Sequence, residues 1–135
     1  MEDAYLYFSK AQEVAALSVN SENILKVADI EELGRGRQKF VEIWSDGNFT
    51  DEDYLMDIKL MVGATDPPTT HLMEIASQIN GDGAAGSGLA MSEGGLIAKV
   101  PLPSINMDDY VMLQYVCTTT APTAGGHLTA KIGLW

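Results

Sequence analysis

The chain has 135 residues, 46% of them hydrophobic, which suits one domain with a single core rather than a disordered segment. Nineteen acidic residues against eight basic ones give a formal charge of −11, the wrong sign for nucleic acid, whose binding needs lysine and arginine to displace counterions from phosphates. The single cysteine, Cys117, rules out an intramolecular disulfide, and no apolar run reaches the ~20 residues of a membrane-spanning helix.

The start of the chain lacks the basic-then-apolar pattern of a secretory leader, so a soluble protein made in the cytoplasm is expected. The opening stretch AYLYFSKAQEV (4–14) crowds Tyr5, Leu6, Tyr7 and Phe8 together. Ala4, Tyr7, Phe8, Ala11, Val14 and Ala15 would line one helical face, whereas Leu6 and Phe8 against Tyr5 and Tyr7 alternate as in extended chain. The extended reading is preferred and gives an N-terminal arm over residues 1–13. VAALSV (14–19) and NILKVA (23–28) are fainter strands, joined by a turn at Asn20-Ser21.

From KFVEIW (39–44) onward the period is two. Tyr54, Met56, Ile58, Leu60 and Val62 form one apolar face, with Leu55, Asp57, Lys59, Met61 and Gly63 on the other. HLMEIASQI (71–79) and GLIAKVPL (95–102) follow. Val111, Leu113, Tyr115 and Cys117 then oppose Met112, Gln114, Val116 and Thr118, and Leu128, Ala130, Ile132 and Leu134 oppose His127, Thr129, Lys131 and Gly133. Asp46-Gly47-Asn48, Asp66-Pro67-Pro68, Pro101 to Pro103 and TAPTAGG (120–126) punctuate the strands, and residues 80–95 form a long glycine-rich connection. About eight strands without a helix between them predict an all-β chain: one antiparallel β-sandwich or jelly roll over 1–135.

Catalytic patterns do not assemble. His71 and His127 lie on separate strands and lack the close pairing of a cupin metal site. Cys117 and His127 have the chemistry of a nucleophile and a base, but Cys117 falls on an apolar strand face, where a thiol is a small hydrophobe. Asp46, Asn48, Thr50 and Asp57 occupy positions one, three, five and twelve of a calcium loop, yet the sixth position, which needs glycine, is Asp51. The acidic loop 46–53 therefore reads as a solvated hairpin connection. GRGR (34–37) lacks the lysine and hydroxyl of a phosphate-cradling loop, and the adjacent Asp108 and Asp109 point apart. No enzyme, metal or cofactor is expected.

YLYFSKAQEV, then SVNSENILKVADI, then GRGRQKFVEI form an ordered series that resembles the start of the small capsid cement proteins of tailed bacteriophages, the Bordetella-phage type. The matching positions are Leu6, Phe8, Ser9, Ala11, Gln12, Asn23, Ile24, Leu25, Gly34 and Gly36. KVPLP (99–103), DYVMLQYVCTTTAPTAG (109–125) and LTAKIGL (128–134) continue the likeness. Two features depart from it: Arg37-Gln38-Lys39 after the glycines and the acidic loop 46–53. The resemblance implies a jelly roll on the outer surface of the virion capsid, bridging neighbouring major capsid protein subunits as a dimer or trimer. In that setting Tyr5, Leu6, Tyr7, Phe8 and Trp135 are the candidate partner-binding residues. For the arm, docking on a neighbour and covering the domain's own open end weigh equally; for Trp135 self-covering weighs more. A carbohydrate- or receptor-binding sandwich built around Trp44 and the 46–53 loop is the alternative.

Overall fold

A computed structural model of the chain describes residues 6–14, 18–32, 38–45, 55–80, 96–106, 108–118 and 127–134. The strands are β1 (Tyr7–Glu13), β2 (Ser18–Asn20), β3 (Leu25–Lys26), β4 (Lys39–Ser45), β5 (Leu55–Gly63), β6 (Thr70–Asn80), β7 (Leu96–Pro101), β8 (Tyr110–Thr118) and β9 (His127–Leu134). One six-residue helix, α1 (Val27–Glu32), follows β3. Every pairing is antiparallel.

Two sheets result, one ordered β1-β9-β4-β7 and the other β2-β8-β5-β6, with β3 also on β8. β2 pairs with residues 114–116 and β3 with 110–111, both on the same side of β8 and running the same way. They are one edge strand with an interruption, so the chain does not turn back at Asn20-Ser21 as expected but continues along β8. Counting them as one, the eight strands are ordered 1-8-3-6 and 2-7-4-5, which is the jelly roll.

Period-two alternation builds the core. Met56, Ile58, Leu60 and Val62 of β5 face Val41 and Ile43 of β4 and Leu128, Ala130 and Ile132 of β9 across the space between the sheets. Val111, Leu113, Tyr115 and Cys117 join them from β8. The inward phases predicted for these strands are the observed ones, except that Tyr54 and Leu134 lie outside the side chains described. Two outward-phase methionines, Met61 and Met112, are also buried; they sit opposite each other in register on the far side of the five-stranded sheet.

The helix departs from expectation. The stretch NILKVA reads as extended, but only Leu25–Lys26 pair, and the chain then coils for six residues with Val27 and Ile30 in the core. Two apolar residues three apart are too few to reveal a helical period. At this end of the sandwich, Val27 N–H donates to the Asp109 carbonyl (3.1 Å) and Leu102 N–H to the Lys39 carbonyl (2.9 Å), stitching the connections together.

Candidate interaction surface

Of the stretch expected as an N-terminal arm, residues 7–13 are a strand: β1 pairs with β9 from Tyr7↔Lys131 to Glu13↔His127, and residues 1–5 lie outside the described residues. Leu6 and Phe8 are 1% and 0% exposed and belong to the core. These two side chains are therefore taken up by the domain itself, because the alternation that brings Phe8 inward turns Tyr7 out. Tyr7 remains half-buried on the surface, while Tyr5 and Trp135 lie outside the described residues, as do the 46–53 loop and residues 81–95.

The residues that carry the cement-protein resemblance knit β1 to the β2–β3 interruption. Ser9 Oγ donates to Gln12 Oε1 (2.5 Å) and lies 2.8 Å from the Tyr115 hydroxyl. Glu22 N–H also donates to Gln12 Oε1 (2.9 Å), and Gln12 Nε2 donates to the Asn20 carbonyl (2.8 Å). These partners fix the amide orientation. Since the Ser9 proton goes to Gln12, the Tyr115 hydroxyl donates to Ser9. Asn23 donates from its backbone to the Phe8 carbonyl and from its side chain to the Tyr7 carbonyl (3.0 and 3.1 Å). Ser21 bridges the gap in the edge strand: its N–H donates to the Leu113 carbonyl, and its Oγ accepts from Leu113 N–H. Ala11, at a bulge in β1, has φ of 50°, the left-handed region, and its N–H donates to Thr129 Oγ1 (3.0 Å).

These contacts also cover one sheet edge. The β1 edge is occupied: Lys10 N–H donates to Glu22 Oε1 (2.7 Å), and Asn23 takes two carbonyls. β7 carries Lys99 and Pro101, and the β5–β6 pairing has three register irregularities. Lysine, proline and bulges on edge strands oppose edge-to-edge pairing.

The outer face of the four-stranded sheet is organised in rows set by the register. One row runs Tyr7 (β1), Lys131 (β9), Glu42 (β4), Lys99 (β7). On one side of it Phe40 lies beside Gly133; on the other, Trp44 lies between Thr129 and Leu96. Lys99 Nζ stands 5.0 Å from the Phe40 ring centre, and Lys10 and Lys131 stand 5.6 and 5.9 Å from that of Tyr7. Trp44 Nε1 donates to Glu42 Oε1 (3.4 Å). A methyl group at Gly133 would collide with the Glu42 carboxylate, so the missing side chain there lets Glu42 lie flat. Tyr7, Phe40 and Trp44 are half-buried and Leu96 is 43% exposed. Sequence reading missed Phe40, Trp44 and Leu96 as a group, because cross-strand neighbours some 50 to 90 residues apart need the register.

The other sequence candidates are dispersed. Cys117 is 5% exposed, and burial, with the Asp57 charge adding to it, pushes its thiol up to about 11. His127 belongs to the other sheet, on the phase opposite the inward Leu128, and His71 is exposed on β6. Asp108 and Asp109 line a shallow depression of about 220 Å³ with Lys26, Ala28 and Tyr110. Asp57 lies half-buried on β5 on the phase opposite the core. Among the described residues no three His, Cys, Asp or Glu side chains converge, and no helix is long and apolar enough to cross a membrane. No family model, curated protein or solved structure matches the chain.

Proposed function

We propose that the chain is a structural binding module that decorates the outer surface of a tailed-bacteriophage head, bridging neighbouring major capsid protein subunits as a dimer or trimer. The observation that carries this reading is the outer face of the four-stranded sheet, where Tyr7, Phe40, Trp44 and Leu96 stand on a rigid platform. Half-exposed aromatic rings on regular strands offer large contact area at small entropic cost, which is what interface anchors provide. The ordered resemblance to cement proteins is the support for a capsid protein as the partner. Several weak contacts made together by an oligomer would raise avidity by about 10²–10⁴ over one contact.

The experiment is sedimentation of the purified protein with expanded, undecorated phage heads. Saturable co-pelleting and a higher melting temperature of the heads are expected; protein that stays in the supernatant with every head preparation refutes the reading. The stacking surface of Trp44 favours carbohydrate binding as the second reading, and a positive glycan screen with no head binding would select it.

A further inference from the structure

No further inference is drawn: the strongest candidate, the shallow depression of about 220 Å³ lined by Lys26, Ala28, Asp108, Asp109 and Tyr110 at one end of the sandwich, rests on two neighbouring carboxylates, and none of its polar side chains is buried and unpartnered to point to a ligand.

Discussion

Ser9 and Tyr115 are both 0% exposed, 106 residues apart, and joined by a 2.8 Å hydrogen bond across the two sheets. Ser9→Ala removes the acceptor of a fully buried phenol hydroxyl, which should cost about 1–3 kcal/mol. Tyr115→Phe removes the donor but leaves Ser9 bonded to Gln12, so its cost should be about 0.5–1.5 kcal/mol, the net worth of one hydrogen bond. The double variant strands no phenol hydroxyl, so the losses should fall short of their sum by about 1 kcal/mol or more. Urea unfolding measures this. With a slope of about 1–3 kcal/mol/M for a domain of this size, Ser9→Ala should lower the midpoint by about 1 M. Losses that add within about 0.3 kcal/mol would refute the network, since they would mean that the two hydroxyls do not meet.

Phe8→Ala should cost about 3–5 kcal/mol of stability because the ring is core, whereas Tyr7→Ala should cost about 1 kcal/mol or less and act on partner binding; chemical unfolding beside head sedimentation separates the two. Ala11→Gly should be neutral or stabilising by up to about 1 kcal/mol, since the left-handed conformation costs a non-glycine residue about 1–2 kcal/mol, and Ala11→Val should destabilise; urea midpoints decide. Burial raises both the Cys117 thiol, from 9.0 to about 11, and the Tyr115 hydroxyl, above its ordinary 10.0. The unfolded chain therefore releases these protons first, so the stability they contribute is complete below pH 9.0 and is lost as pH rises, from 9.0 for Cys117 and from 10.0 for Tyr115. Midpoints measured from pH 7 to about 11 should show that fall, reduced in Cys117→Ala and Tyr115→Phe. The Cys117 thiol should also resist Ellman's reagent until the protein unfolds, and rapid labelling of the native chain would contradict its burial.

The strands were legible because period two is a local signal, and β4, β5, β8 and β9 each carry it over seven or more residues. The sandwich followed from their number. The helix was not legible, since Val27 and Ile30 gain their place from Asp109 and the core, not from a repeating pattern. Nor was the fate of the opening aromatics. Alternation separates Phe8 from Tyr7, but only pairing with β9 says which of them turns inward. The surface row had even less local signature. Tyr7, Glu42, Lys99 and Lys131 become neighbours through register alone, and Gly133 reads as a weak strand residue until Glu42 is seen lying across it.

Because β9 lies between β1 and β4, the last of the described strands must slot in between two made much earlier. Until β9 is made both waiting strands lack that shared neighbour, and neither Phe8 nor Val41 has its final surroundings. Such long-range closure places this chain among slow folders, on the order of milliseconds to seconds. A nascent chain stalled before residue 127 would lack the whole of β9 and keep two unsatisfied edges exposed.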